Sequence, residues 1–388
     1  MPDKRLFRII PCSFLASVAI GIVNLGMLFL IKSDYGAGPV VVGWFTALWA
    51  AAYFVGCIAF RSLARHIDAS VSAILMCFLS AALLAAQFLF PTLVGAFVAY
   101  SMYGLACSLM WPRLMGWLVV GLEGNALSRA SGSFNLSWSV GMTISPFLAG
   151  ALSERGVALG YGYALPIQVG IVILVATGVF MLATNPVAPA PRPRTATAVS
   201  TAIAAKGHDS PLRHPAWIGL FAIYVLCSVL NNIFPVYAKD ALALSESVIG
   251  FFLLIRAATM SVGFWVFGRL RFWQFKAVYL PVALAANLVL CLAFAFIRTP
   301  LGFIFGLALL GAVQSFTYSL SIFYGSSGAA DRDKRMSIHE AVLTVGQVLG
   351  SVAGGAVYQV FSWPLVFVFS AAIVLICAPF QIAGVRKR

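Results

Sequence analysis

The chain has 388 residues, 62% of them hydrophobic and only 9% charged, with 25 Lys and Arg against 11 Asp and Glu for a formal charge of +14. A soluble domain needs roughly 25% charged residues to wet its exterior, so this balance argues against a water-soluble enzyme and for a chain whose outside faces lipid. The basic residues are scattered singly or in threes between apolar runs, which leaves no stripe for nucleic acid.

A helical crossing takes about 20 mostly apolar residues. Runs of that kind cover 11–31, 40–60, 70–90, 94–119, 130–152, 162–183, 215–236, 247–268, 277–297, 300–323, 337–359 and 363–384, which predicts twelve spans. Charges, Pro and Gly interrupt them, as at Lys32-Ser33-Asp34-Tyr35-Gly36, Arg65-His66-Ile67-Asp68, Glu123-Gly124-Asn125 and Asp331-Arg332-Asp333-Lys334-Arg335. The apolar stretch nearest the N-terminus is longer than a signal-peptide core and is read as the first span. Only residues 185–214 form a long polar interval, rich in Pro, Ala and Thr, which reads as a tether without a core. The predicted architecture is an all-α membrane protein. A six-helix bundle over 1–184 and a second over 215–388 flank the linker at 185–214.

Basic residues in the loops orient the spans. With the N-terminus inside, 19 Lys and Arg fall in cytoplasmic segments. Lys32, Arg155, Lys239 and Arg298 fall outside, and Arg113 and Arg256 lie within spans. This bias places both termini in the cytoplasm, in a multi-pass chain of the cell (inner or plasma) membrane. The seven cysteines all sit in apolar runs without CxxC spacing, so they read as small apolar side chains and not as metal ligands. No HExxH and no phosphate-cradling loop is present. We therefore expect no enzyme, no cofactor and no metal.

The midpoint linker invites a search for a repeat. A shift of about 205–208 carries Asn24 onto Asn231 or Asn232, Gly56 onto Gly263, and Arg61 and Arg65 onto Arg269 and Arg271. In spans 5 and 11 the shift is 205 throughout, pairing Gly141 with Gly346, Ser145 with Gly350, Ala149 with Gly354, Asn135 with Glu340 and Arg129 with Lys334. Ser133, Ser137, Gly141, Ser145 and Ala149 recur every fourth residue, as do Gly346, Gly350 and Gly354, so each set lines one helix face open to close backbone approach. Two readings fit that face: static packing, or a smooth contact along which one half rocks against the other.

The six-plus-six layout, the loop between spans 2 and 3, and span 5 together resemble the major facilitator superfamily (MFS) over essentially the whole chain. In the loop, Gly56-Cys57-Ile58-Ala59-Phe60-Arg61-Ser62-Leu63-Ala64-Arg65 keeps the leading Gly, Arg61 and basic Arg65, while Phe60 replaces the family's acid. Span 5 carries Gly132, Gly141, Ser145-Pro146 and Ala149-Gly150, similar to a glycine-proline signature of proton-exchange exporters. The resemblance implies a secondary transporter working by alternating access, with a small-molecule solute and a coupling ion, H+ foremost, in a monomer surrounded by lipid. Uptake by the same fold, or movement of a lipid or lysolipid, are the alternatives.

Ionisable side chains inside a bilayer are costly and therefore candidates for function. Arg256 lies about nine residues into span 8, roughly 13 Å deep at the helical rise, with no acid three or four residues away. An arginine fork there suits a carboxylate or phosphate; the other reading is a structural pairing with carbonyls or an acid on another helix, or a side chain that reaches water. The resemblance implies that spans 4 and 11 meet at the cytoplasmic end, which makes Arg113, after Trp111-Pro112 in span 4, and Glu340 in span 11 a candidate inner gate, with the loop residues Arg61 and Arg65 and the repeat partner Asn135 grouped with it; the other reading is that each charge faces cytoplasmic water or nearby loop charges. Glu340 and His339 are the candidates for proton coupling. The resemblance implies that spans 1, 4, 7 and 10 line the cavity, which nominates Asn24, Trp111, Asn231, Asn232, Gln314 and Tyr318. Asn231-Asn232 beside Pro235 predicts an interrupted span 7.

Overall fold

The computed structural model of the chain describes residues 4–63, 67–119, 124–184, 210–327 and 332–386. Among them every regular element is a helix: α1 Lys4–Ser33, α2 Pro39–Leu63, α3 Ala69–Leu89, α4 Leu93–Cys107, α5 Trp111–Val119, α6 Gly124–Ala158, α7 Leu165–Ala183, α8 Arg213–Ser228, α9 Phe234–Asp240, α10 Glu246–Arg269, α11 Tyr279–Phe296, α12 Pro300–Ser326, α13 Arg332–Val360 and α14 Trp363–Arg386. Among the described residues ten helical stretches are long and apolar enough to cross a bilayer. The α4–α5 pair and α6 supply the remaining two of the twelve spans.

Two spans are not continuous α-helix, and proline explains both. Pro112 has no N–H to give the Ser108 carbonyl. The chain crosses 108–110 with three-residue turns, Leu109 N to Ala106 O at 3.0 Å and Met110 N to Cys107 O at 3.2 Å. This break in span 4 departs from the uninterrupted run expected over 94–119. In span 7, Val229–Ile233 forms a π-turn between α8 and α9, with the Phe234 N–H reaching back five residues to the Val229 carbonyl. Pro235 lacks the donor that the Asn231 carbonyl would otherwise receive, so the wider turn is local compensation. At Asn231-Asn232, where the sequence predicts an interruption, the span is distorted by a π-turn but stays helical from Arg213 to Asp240.

The repeat is visible in the packing of each half. In the first, α1 packs on α6 and α7, and α3 on α7; in the second, α8 packs on α13 and α14, and α11 on α14. Residue pairs recur in step. A Cβ on Gly141 would lie 2.8 Å from the Phe14 carbonyl oxygen, and one on Gly346 would lie 2.7 Å from that of Phe221. Gly56 faces the Ser108 hydroxyl as Gly263 faces that of Ser315, and Gly104 faces the Trp49 carbonyl as Gly311 faces that of Arg256. These partners stand 207 apart except within α6 and α13, where the shift is 205.

The small-residue stripes find their close neighbours within their own bundle. Gly141 and Ser145 face α1, while Gly346, Gly350 and Gly354 face the α8–π segment, so both stripes are packing surfaces inside a bundle. A different face, one residue on, meets other helices. Gly150 lies against the Glu246 carbonyl and Gly250 against that of Pro146; Gly355 lies against the Pro39 carbonyl and Gly43 against that of Ser351. These crossings explain the two compact units of the chain. One is Met1–Ala37, Leu48–Pro193 and Ala238–Leu254; the other is Gly38–Ala47, Arg194–Tyr237 and Ile255–Arg388. The linker residues 185–209 lie outside the described residues.

Arg8, counted by sequence as a flanking cation, is a buried residue of α1. It donates to Ser70 Oγ (2.6 Å), the Met181 carbonyl (3.1 Å) and Thr184 Oγ1 (3.2 Å), tying α1 to α3 and to the end of α7.

Candidate functional site

The second unit gathers most of the predicted site residues. Arg256, in α10, is 9% exposed and donates from Nη1 to Gln314 Oε1 of α12 at 2.6 Å. Its Nε is buried without a partner, and among the described residues no carboxylate pairs with it. A guanidinium in that setting has lost water and gained one neutral acceptor, which leaves its charge uncompensated. Tyr318, one turn beyond Gln314, packs its ring against Phe264 (centroids 5.3 Å apart), Tyr224 (6.4 Å) and, edge-on, His339 (4.9 Å). His339 is 1% exposed; Nδ1 shares a hydrogen bond with Ser321 Oγ at 2.9 Å, and Nε2 is buried without a partner. Glu340 lies near enough to Tyr224 and Tyr318 to act on both electrostatically. Arg256, Gln314, Tyr224, Tyr318, His339 and Glu340 thus form a polar, ring-lined patch drawn from α8, α10, α12 and α13.

Beside it lies the π-turn. Asn232 Nδ2 donates to Ser351 Oγ (2.8 Å) and Ser228 Oγ (3.2 Å), and the two hydroxyls bond each other at 2.6 Å. Asn232 is therefore held by α8 and α13, whereas its neighbour Asn231 is half-buried. Sequence reasoning missed Tyr224, Ser228, Ser321 and Ser351, because Ser and Tyr in an apolar helix carry no mark of facing inward. The only available signal was helical phase: Tyr224 lies two turns before Asn231 on the same face.

The remaining predicted residues belong to the first unit. Asn24, the repeat partner of Asn231, is half-buried with Oδ1 unpartnered. Trp111 packs edge-on against Phe134 at 6.0 Å. Arg113 is half-buried and lies under the electrostatic influence of Asp68. Asn135 is exposed. Arg61 lies in the last turn of α2 with its side chain outside the described residues, and Arg65 also lies outside them.

A second charged cluster occupies the first unit. Lys239 of α9 bonds Glu246 of α10, Tyr163 Oη (2.7 Å) and Ser33 Oγ (2.7 Å), while Tyr163 donates to Glu246 Oε1 (2.8 Å) and Lys32 pairs with Asp240 (2.7 Å). Glu154 accepts from Ser247 N (2.8 Å) and Oγ (2.7 Å). Burial alone would raise the Glu154 carboxyl, but hydrogen bonds from Ser245 and Ser247 outweigh it and hold it below its ordinary range. Burial pushes the Asp34 carboxyl up, against the Tyr163 backbone bond and the Lys239 charge. Lys239, read from sequence as a loop cation, is in fact a bonded helical residue. Lys239→Met leaves Glu246, 8% exposed, without its cation, and is expected to cost about 1–3 kcal/mol. Adding Glu246→Gln should restore at least half of that loss, as a double-mutant cycle on thermal unfolding would read.

The sequence profile of the Major Facilitator Superfamily matches residues 9–331 and, in a second match, 217–385. No curated protein matches the sequence significantly. Solved structures do match the fold. A bacterial homolog of the human lysosomal transporter Spinster, inward-facing and unoccupied, superposes with TM-score 0.75 at 11% identity, covering 100% of this chain and 98% of that one. A POT family transporter in complex with 5-aminolevulinic acid gives 0.78 at 11% identity, covering 98% and 96%. The nucleoside transporter NupG, in a point-mutant form, gives 0.73 at 12% identity, covering 98% and 100%. With the profile spanning nearly all of a chain built as twelve membrane-crossing helices in repeated halves, the protein belongs to the major facilitator superfamily.

Proposed function

We propose that the protein is a secondary active transporter that moves a small organic anion, or an amphipathic solute with an anionic group, by alternating access. The solute passes unchanged and no bond is made or broken. The observation that carries this reading is Arg256: a cation 9% exposed, given one neutral acceptor and left with a buried, unpartnered Nε. A carboxylate or phosphate would complete its fork. Gln314, bonded to it, and Tyr318, one turn further along α12, are proposed to orient the solute, together with Asn231 and Asn232 of the π-turn. Asn24 and Trp111 are also proposed as solute contacts.

Proton-linked efflux is the proposed mode, with both termini in the cytoplasm of a cell membrane. Glu340, beside the buried His339, is the proposed proton carrier, since a carboxyl among aromatic rings can change protonation within a transport cycle. Arg113 and Glu340 are the proposed closing pair of the inner gate, with Asn135, Arg61 and Arg65 on the same path. A charge-swapped double variant no better than either single variant would count against that pair.

The test is counterflow in liposomes against carboxylates, organophosphates and neutral metabolites, with and without a proton gradient. We expect exchange of an anion that Arg256→Ala abolishes; exchange confined to neutral solutes would overturn the reading. Glu340→Gln is expected to leave exchange within about twofold of wild type while cutting gradient-driven flux at least about tenfold, the behaviour of a lost proton carrier. Equal loss of both would move Glu340 from coupling to binding.

A further inference from the structure

We propose that the α10–α11 loop, with the neighbouring ends of α12 and α14, is a docking surface for anionic phospholipid headgroups. The loop is pinned by one indole. Trp273 is 3% exposed, donates from Nε1 to the Phe267 carbonyl at 3.3 Å, and meets Phe323 edge-on at 5.2 Å. It belongs to a buried cluster with Leu212, Leu280, Leu320 and Tyr324, against which Val385 of α14 also packs. With the loop held this way, its other side chains face out: Arg271, Phe272, Phe275 and Lys276 are all exposed.

Three features of this surface converge on a lipid. The charge of the loop itself is of one sign. Arg269, Arg271 and Lys276 lie on the loop and Arg386 follows Val385, while the sequence has no Asp or Glu between Glu246 and Asp331 or after Glu340. Its cations adjoin exposed rings: the Arg269 guanidinium lies 3.8 Å over Trp265, which is 56% exposed, and Phe275 is 66% exposed. Finally, Phe275 has a φ of 59°, in the left-handed region that a bulky side chain rarely adopts. That backbone keeps an aromatic ring, edge-on to Phe323 at 4.9 Å, 66% exposed next to Lys276, a costly arrangement in water and a suitable one at headgroup depth. There rings lie among the upper acyl chains and glycerol, and Arg and Lys reach the phosphates. An acidic soluble partner would match the charge but would leave the exposed rings beside bilayer-crossing helices unexplained.

The experiment compares wild type with Arg269→Gln/Arg271→Gln/Lys276→Gln and with Phe275→Gly, each in nanodiscs of phosphatidylcholine alone or with phosphatidylglycerol. Thermal unfolding and lipid retention by native mass spectrometry are the readouts. Phosphatidylglycerol is expected to raise the wild-type midpoint. In the triple variant that shift should vanish and retained phosphatidylglycerol should fall at least about tenfold, as expected on removing three cations from an anionic interface. Its midpoint in phosphatidylcholine should stay at the wild-type value, which separates lost lipid binding from lost folding. Phe275→Gly, relieved of its strained backbone, should hold its phosphatidylcholine midpoint and lose part of the lipid shift. An undiminished shift in the triple variant overturns the proposal. So does an equal shift from inorganic phosphate in phosphatidylcholine, which would make the site one for free anions.

Discussion

Arg256→Gln is expected to make the protein more stable and a far poorer transporter. The two effects have opposite signs for one physical reason. Ionic desolvation at a buried site costs several kcal/mol, and one hydrogen bond to a charged group returns about 1.5–3 kcal/mol. Among the described residues the Gln314 contact at 2.6 Å is the only hydrogen bond shown for the guanidinium, and its Nε is unpartnered. Desolvation therefore wins in the empty carrier. The neutral amide introduced by Arg256→Gln can still bond Gln314, so unfolding should shift upward by about 1–2 kcal/mol. In transport the balance reverses. Loss of a buried guanidinium–anion pair costs about 2–5 kcal/mol, roughly thirtyfold to several-thousandfold in apparent affinity. Arg256→Lys keeps the charge without the fork and should fall between the two. Thermal unfolding and anion counterflow on the same samples decide the matter. A drop in stability for Arg256→Gln would make Arg256 a structural tie and remove the anion reading.

How much of this was legible beforehand depends on which physical signal each feature leaves in the sequence. Burial in lipid writes itself into composition, so the twelve spans were readable from apolar runs. Proline also writes clearly: Asn231-Asn232 before Pro235 marked the π-turn at Val229–Ile233. The break at Ser108–Met110 was equally marked by Pro112, yet the apolar run continues across it and hid it. Depth along a helix was readable for Arg256, whereas its partner was not, because Gln314 is 58 residues away and a neutral acceptor gives no charge pattern to match. The hardest case was the direction of the small-residue faces. Gly350 and Ser351, or Ser145 and Pro146, are adjacent in sequence but lie about 100° apart around a helix. Spacing alone could not tell the face that packs within a bundle from the face that meets a helix of the other half.

That second face sets up the largest mechanical effect. Gly250→Leu is expected to push α10 off α6 and stop transport. A Cβ at Gly250 would lie 2.2 Å from the Pro146 carbonyl oxygen and 3.0 Å from the Phe147 Cα. Both obstacles are backbone, so neither can rotate away, and the helices must separate by about 1 Å before ordinary contact is restored. The crossing at Gly150 and the Glu246 carbonyl, 2.1 Å by the same measure, is loosened with it. So are the Glu154 bonds to Ser247 that lie beside it. Overpacking of this kind costs about 1–3 kcal/mol. Gly268 lies on the same helix with nothing within 4 Å of its Cβ position; Gly268→Leu should stay within about 0.5 kcal/mol of wild type and transport normally. Accessibility separates simple destabilisation from an opened crossing. With Ser247→Cys as the reporter, a membrane-impermeant maleimide should react several-fold faster in the Gly250→Leu background than in the Gly268→Leu background, at a temperature where both are folded. The Gly43 crossing, where a Cβ would lie 2.3 Å from the Ser351 carbonyl oxygen, is its repeat equivalent and should respond alike. Equal labelling in the two backgrounds, with transport retained at Gly250→Leu, would mean that these close approaches are packing alone and that the moving contact lies elsewhere.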